Sequence, residues 1–210
     1  YDTGLLDGVT TNPSLIKKSG EDPFEAIKTI SESFPTLQSI SAEVVADLAC
    51  DMVEQAKPFM ELDNVTIKVP CTVEGLRACR QLRDLGATVN VTLIFSAAQA
   101  VLAAKAGATY VSPFVGRLTD NGFDGLELIK TIYEIYRKDG CQTEILSASV
   151  RSPEVVALCY REGSDIVTIP PGVFDRMYES VLTREGLATV SYTHLRAHET
   201  SLHLVCRLLL

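Results

Sequence analysis

The sequence predicts an α/β fold in which parallel strands are covered by helices and close into a (β/α)8 TIM barrel. Three observations support this prediction. Segments typical of strands and amphipathic segments typical of helices alternate along the chain, the connections between them are compact, and 210 residues suit one such domain. Strict alternation indicates parallel strands, because each strand must be followed by a helical crossover before the next one begins.

Seven short segments rich in β-branched residues are predicted to be strands: 8–11, 39–44, 65–69, 87–93, 109–113, 144–148 and 165–169. Six amphipathic segments between them are predicted to be helices: 23–33, 47–60, 72–85, 96–106, 125–138 and 152–161. Thr72, Ser96 and Ser152 stand where helix N-caps are expected, and Pro153 suits a first helical turn.

Parallel barrels of this size most often close with eight strands, so one strand is missing from the predicted set. Because the chain begins at Tyr1, we expect the first strand and most of its helix, roughly 20–30 residues, to precede it. We therefore assign residues 1–189 to an incomplete barrel domain.

Residues 190–210 form the second predicted region, a non-native tail. They resemble the translation of sequencing-adapter read-through, and they hold all three histidines of the chain, His194, His198 and His203. His194 and His198 are one helical turn apart, but no HExxH pattern or third ligand accompanies them, so we do not predict a metal site.

Composition narrows the class of protein. The net charge of −8 argues against nucleic acid or an anionic membrane as the main partner, while leaving room for a small anionic ligand at local arginines. No apolar run approaches the roughly 20 residues needed to span a bilayer. Six scattered cysteines without CxxC spacing indicate reduced, mostly buried thiols and a cytoplasmic protein.

Lys68 is a charged residue inside the otherwise apolar or β-branched predicted strand 65–69. A lysine in such a position reaches solvent, gains partners or loses its proton. Solvent exposure is the more common outcome, whereas a desolvated lysine can form a Schiff base with a carbonyl substrate. This segment alone favours the solvent-exposed interpretation.

Polar residues recur at the carboxyl ends of the predicted strands, which meet at one mouth of a parallel barrel. Singly they have ordinary explanations, such as a turn at Asn12 before Pro13 or helix capping by Ser149. Together, their arginines and hydroxyls suit a phosphate and their amides and hydroxyls suit a polyol, so we predict a phosphorylated polyol as ligand. The residues are Thr10, Thr11, Asn12, Glu43, Lys68, Asn90, Thr92, Ser112, Arg117, Ser149 and Arg151.

Four groups of these residues resemble the motifs of the transaldolase family, and the similarity extends over residues 5–187. The motifs are residues 7–16, residues 67–70 with Glu74 and Gly75, residues 90–93 with Phe95, Ser96, Gln99 and Ala100, and residues 112–117. The resemblance implies a (β/α)8 barrel with a Schiff-base lysine and no metal or organic cofactor. It also implies transfer of a dihydroxyacetone unit between sugar phosphates in the pentose phosphate pathway. The small members form rings, so a homo-oligomer is implied as well.

The resemblance also assigns roles to residues of this chain. Lys68 matches the imine-forming lysine, and Glu43 and Thr92 match the pair that holds a catalytic water. Side chains that bind the hydroxyls of the transferred unit are matched by Asn12, Asn90 and Ser112. The phosphate-binding group of the sugar phosphate is matched by Arg117, Ser149 and Arg151, and Phe114 is a further substrate-binding residue. The family's acid–base aspartate lies on the first strand, and Asp2 does not match it.

Three alternatives stay open from the sequence. Fructose-6-phosphate aldolases resemble this chain in the barrel and the lysine. They differ in having a Gln near the position of Glu43 and a Tyr at the position of Phe114, so Glu43 and Phe114 favour the transaldolase branch. A catalytically crippled fragment would follow from the missing strand. A phosphosugar-binding protein without turnover would leave Lys68 unexplained.

Overall fold

The structure is a computed structural model that describes residues 3–13, 16 and 20–197, with side chains described as far as residue 190. The chain divides into two compact units between Pro170 and Pro171. The first unit contains the sheet, and the described residues of the second, 171–197, contain two helices.

Seven parallel strands form one sheet in the described part of the chain, and each strand pairs with the next in sequence. They are β1 (Gly8–Thr10), β2 (Ser39–Glu43), β3 (Val65–Pro70), β4 (Thr88–Ile94), β5 (Tyr110–Pro113), β6 (Glu144–Ser147) and β7 (Ile166–Val167). The predicted parallel α/β fold with seven units is confirmed.

The sheet is curled, because residues at its two edges reach each other. Thr10 Oγ1 and Thr168 Oγ1 lie 2.7 Å apart, within hydrogen-bonding distance. Thr10 belongs to β1, and Thr168 follows β7 directly. Among the described residues, no backbone ladder joins these two strands. The sheet therefore has the curvature of a TIM barrel, with β1 and β7 as its edges.

In the described part of the first unit, seven helices accompany the sheet: α1 (Pro23–Ser33), α2 (Ala49–Ala56), α3 (Val73–Asp84), α4 (Ala97–Lys105), α5 (Val115–Asp120), α6 (Gly125–Asp139) and α7 (Pro153–Arg161). The second unit has α8 (Pro171–Met177) and α9 (Val181–Ala197). The three predicted caps are confirmed, since the side-chain oxygens of Thr72, Ser96 and Ser152 accept from backbone N–H groups at 3.0, 3.2 and 3.4 Å.

The observed elements differ from the predicted ones in three places. The helix predicted over 47–60 ends at Ala56 and is followed by a 3₁₀ turn (Phe59–Glu61), because Pro58 has no N–H to continue the helix. The helix α5 is absent from the prediction, which places no helix between residues 106 and 125. The strand predicted over 165–169 is only the two residues of β7.

Helices α8 and α9 were not predicted either, and α9 includes residues 190–197 of the predicted tail. Residues 198–210, with His198 and His203, lie outside the described part of the chain, as does the side chain of His194. The prediction of a non-native tail therefore stays a prediction.

The central strands β2 to β5 are buried on both sides, as expected for parallel strands covered by helices, whereas the edge strands β1 and β7 are partly exposed. Apolar side chains that are almost completely inaccessible come from strands and helices alike: Ile40, Ile67, Leu82, Val89, Val91, Ile129, Ile132 and Ile145. Ser41, Thr66, Asn90, Thr92 and Ser112 are polar but also buried. Within the described residues, no helix is long and apolar enough to cross a membrane.

The cysteines within the described ranges are free, but the prediction that most are buried is wrong. Cys79 and Cys159 are buried, Cys71 and Cys141 are half-buried, and Cys50 is exposed on α2. Burial raises the pKa of the Cys79 and Cys159 thiols to about 11, which keeps both protonated at neutral pH.

We therefore expect Cys50 to react with maleimide at pH 7.5 well before Cys79 and Cys159, because only an accessible thiolate is a nucleophile. Peptide mapping by mass spectrometry after timed labelling measures each site separately. In urea all three should react at similar rates. Labelling of Cys79 or Cys159 in the folded protein as fast as Cys50 would contradict the buried positions.

Candidate active site

Lys68 and Glu43 form a largely buried ion pair at the carboxyl ends of two neighbouring strands. The register of β2 and β3 places them opposite each other, so their side chains leave the same face of the sheet. Lys68 Nζ lies 2.9 Å from Glu43 Oε2, and the two side chains are only 11% and 18% exposed. Nζ also donates to the backbone oxygen of Thr11 at 3.4 Å.

The solvent-exposed interpretation of Lys68 is therefore wrong. The side chain stays inside because a carboxylate and a carbonyl oxygen satisfy its ammonium group, which would otherwise be costly to bury. Of the three fates open to such a lysine, the structure shows the one with partners. This arrangement holds the amine in a largely buried position at the carboxyl end of β3.

A second polar group lies on β4 and β5, beside Lys68. Register pairs Lys68 with Asn90, and Ser112 Oγ donates to Asn90 Oδ1 at 2.9 Å. Asn90 Nδ2 and Thr92 Oγ1 are buried and have no hydrogen-bond partner within the described residues. Since buried polar groups are nearly always paired, these two atoms are well suited to bind a polar ligand or a water.

The backbone of β4 is irregular at this point. The pairing of β4 with β5 shifts between Val91 and Ile94, where one extra residue is accommodated as a bulge. Leu93 has a φ of 60°, in the left-handed region that a branched residue seldom adopts. The irregularity directly follows Thr92, so the sheet departs from regular geometry beside a candidate site residue.

The third group lies on α5 and the segment after β6. A Cβ added to Gly116 would overlap the carbonyl oxygen of Ser149, so only glycine permits this approach. Val115 N donates to Ala148 O at 3.0 Å and fixes the same contact. Ser149 itself has a φ of 62°. Strained backbone of this kind is concentrated at functional sites.

Two arginines flank this contact and are held differently. Arg151 makes a two-point ion pair with Asp120 of α5, with N–O distances of 2.7 and 2.6 Å. Arg117, also on α5, places its guanidinium carbon 4.9 Å from the ring centre of Phe114 and 5.9 Å from that of Phe95. Two cationic groups and the Ser149 hydroxyl are thus gathered by one short helix.

The structure joins most of the predicted site residues in these three groups. Arg117 follows the fifth strand, as predicted, and lies on the short helix α5, which was not predicted. Asn12 follows Thr11, whose carbonyl oxygen contacts Lys68. Sequence reasoning missed the contributions of Gly116, Asp120 and Phe95, although Phe95 directly follows the end of β4, where functional residues are expected.

An open cavity of about 490 Å³ lies to one side of these groups, between the segments that follow β2 and β3. Its lining includes Glu43, Asp47, Met52 and Thr72 but neither Lys68 nor the arginines. Glu43 is the one residue that this cavity shares with the three groups, so the candidate site is defined by its polar side chains and not by the cavity.

The fold and the three groups define the class of parallel β/α-barrel enzymes, whose active-site residues lie at the carboxyl ends of the strands. Residues 1–205 match the family described as transaldolase/fructose-6-phosphate aldolase. The chain belongs to this family of enzymes.

Curated relatives of this chain carry names that agree with this family. A probable transaldolase of Paracoccus denitrificans is 52% identical over 187 residues, which cover 89% of this chain and 85% of the relative. One from Cereibacter sphaeroides (strain ATCC 17025) is 51% identical over 185 residues, covering 88% and 84%. One from Hyphomonas neptunium is 52% identical over 188 residues, covering 89% and 86%.

Replacing Gly116 with alanine should destabilise the protein by about 1–3 kcal/mol, because the added methyl group forces α5 away from Ser149. The midpoint of urea unfolding measures this loss. The matched control is Gly186→Ala in α9, where a Cβ meets no atom within 4 Å and the exchange should be neutral or stabilising. Equal midpoints for Gly116→Ala and the wild type would contradict the close approach.

Proposed function

We propose that this protein is a transaldolase that works through a Schiff base on Lys68. It transfers a dihydroxyacetone unit in the reaction sedoheptulose 7-phosphate + glyceraldehyde 3-phosphate ⇌ erythrose 4-phosphate + fructose 6-phosphate. The observation that carries the proposal is the Lys68–Glu43 pair, a nearly buried amine 2.9 Å from a carboxylate at the carboxyl end of a barrel strand.

The first step needs a neutral amine. Glu43 is within proton-transfer distance of Nζ and can take a proton from the Lys68 ammonium directly or through a water. The free amine attacks C2 of the ketose, and loss of the C2 oxygen as water leaves a protonated imine. The low exposure of the Lys68 side chain favours this step, because little water competes with the ketose for the amine.

The protonated imine then accepts the electron pair of the C3–C4 bond. That bond breaks, the C4 hydroxyl gives up its proton, and the aldose phosphate leaves as an aldehyde. The remaining enamine attacks the carbonyl carbon of the acceptor aldose phosphate, and hydrolysis of the new imine restores Lys68. The resemblance assigns the C4 proton transfer to an aspartate that no residue named here matches, so we propose no residue for this transfer.

Glu43 and Thr92 are proposed to hold the water that moves protons during imine formation and hydrolysis. The buried Thr92 Oγ1, without a partner in the described part of the chain, supports this role. Asn90 Nδ2 is likewise buried without a hydrogen-bond partner among the described residues. Together with Asn12 and Ser112, Asn90 is proposed to bind the hydroxyls of the transferred unit.

Arg117, Ser149 and Arg151 are proposed to bind the phosphate, and Phe114 to line the site beside Arg117. Their support is the gathering of two guanidinium groups and a hydroxyl around α5. Glu43 and Phe114 favour transaldolase over fructose-6-phosphate aldolase. We further propose a cytoplasmic homo-oligomer that acts in the pentose phosphate pathway without metal or organic cofactor.

Borohydride reduction in the presence of fructose 6-phosphate should attach a stable adduct to Lys68, because the reduced imine no longer hydrolyses. Peptide mass mapping locates it. Lys68→Arg is the matched control, since it keeps a cation beside Glu43 but cannot form an imine. An adduct of equal yield in Lys68→Arg, or none in the wild type, would refute the proposal. Free dihydroxyacetone released without an acceptor would instead indicate the aldolase branch.

Glu43→Gln should slow adduct formation by about 10²- to 10⁴-fold, because the amide cannot accept the proton of Lys68. The measurement is the initial rate of adduct formation at saturating fructose 6-phosphate. Glu54→Gln, which removes an exposed carboxylate paired with Lys57, is the control and should leave the rate unchanged. A wild-type rate in Glu43→Gln would exclude Glu43 from proton transfer.

A further inference from the structure

We propose that Phe95 is a positioning residue that holds the guanidinium of Arg117 ready for the phosphate of the substrate. The inference rests on the proposed function, because it deepens the account of the phosphate group. Phe95 lies directly after β4 and, unlike Phe114, has no role in the assignment above.

The geometry of the two rings forms a cradle for the cation. The ring centres of Phe95 and Phe114 are 5.7 Å apart, and the ring planes are inclined by 58°. The guanidinium carbon of Arg117 lies 5.9 Å from one ring centre and 4.9 Å from the other. Both distances are within the range in which an aromatic face attracts a cation. Arg117 thus contacts two aromatic rings, one from the residue that follows β4 and one from the residue that follows β5.

The contrast with Arg151 shows why such a cradle matters. Arg151 is neutralised by the two-point pair with Asp120. Among the side chains described, which extend to residue 190, the Arg117 guanidinium has neither a carboxylate nor a hydrogen-bond acceptor as partner, and the side chain is exposed. A long exposed side chain without partners samples many rotamers. The rings restrict it while leaving its charge and its N–H groups available to an anion.

Phe95 is itself anchored through its backbone. Phe95 N donates to Gln99 Oε1 at 2.8 Å, and Ser96 Oγ caps α4 by accepting from Gln99 N. The bulge of β4 ends at Ile94, immediately before this anchor. The ring is therefore connected to the rigid end of a strand and the first turn of a helix. That connection is what lets it orient a side chain on another element.

Phe95→Leu removes the aromatic face but keeps an apolar side chain, and Phe95→Tyr keeps the face. In Phe95→Leu we expect the fructose 6-phosphate concentration for half-maximal Lys68 adduct formation to rise about 3- to 30-fold. The rate at saturation should change by less than about 3-fold. Phe95→Tyr should behave as the wild type. Unphosphorylated fructose should label wild type and Phe95→Leu with equal efficiency, because no phosphate is involved.

A second readout, independent of Lys68, is the Kd for inorganic phosphate from calorimetric titration. Phe95→Leu should weaken it by a similar factor in the wild-type background but not in an Arg117→Met background, because the ring acts through Arg117. Three results would overturn the inference. Phe95→Leu could lose as much labelling efficiency with fructose as with fructose 6-phosphate, or it could leave the phosphate Kd unchanged. It could also weaken phosphate binding as much in the Arg117→Met background as in the wild type. If the wild type forms no adduct but the phosphate titration shows the expected loss, only the proposed function fails.

Discussion

The pairing of Lys68 with Glu43 is the interaction on which the rest of the site depends. An ammonium group cannot be kept inside a β-barrel without partners, and its carboxylate and carbonyl neighbours supply them. In the proposed mechanism the same pair also gives the lysine a base for its proton, so one contact would serve both stability and reactivity. Removing either partner would leave a charge largely buried and uncompensated.

The parallel sheet produces this contact without any long-range adjustment. Register sets Glu43 opposite Lys68 and Lys68 opposite Asn90, so residues distant in sequence share one face at one edge of the sheet. Departures from regular backbone occur at Leu93 and Ser149, both next to candidate site residues. Regular strands therefore position Lys68 and Glu43. Irregular backbone, in contrast, lies beside Thr92 and beside the residues proposed to bind the phosphate.

The alternation of segments and the N-caps at Thr72, Ser96 and Ser152 could be predicted because they depend on local sequence. The partner of Lys68 could not, because burial depends on the tertiary register that brings Glu43 to it. The short helix α5 and the Gly116–Ser149 contact were missed for the same reason. Glycine in a short polar segment is typical of a loop, and only the neighbouring strand shows why no Cβ is tolerated.

We propose that Lys68 forms the covalent bond to the sugar while the residues around α5 hold its phosphate. A crystal structure of the protein reduced with borohydride in the presence of fructose 6-phosphate tests both parts together. We predict continuous electron density from Lys68 Nζ to C2 of the sugar, with the phosphate against Arg117, Ser149 and Arg151. Density for a sugar bonded to another residue, or for a phosphate away from α5, would contradict the account.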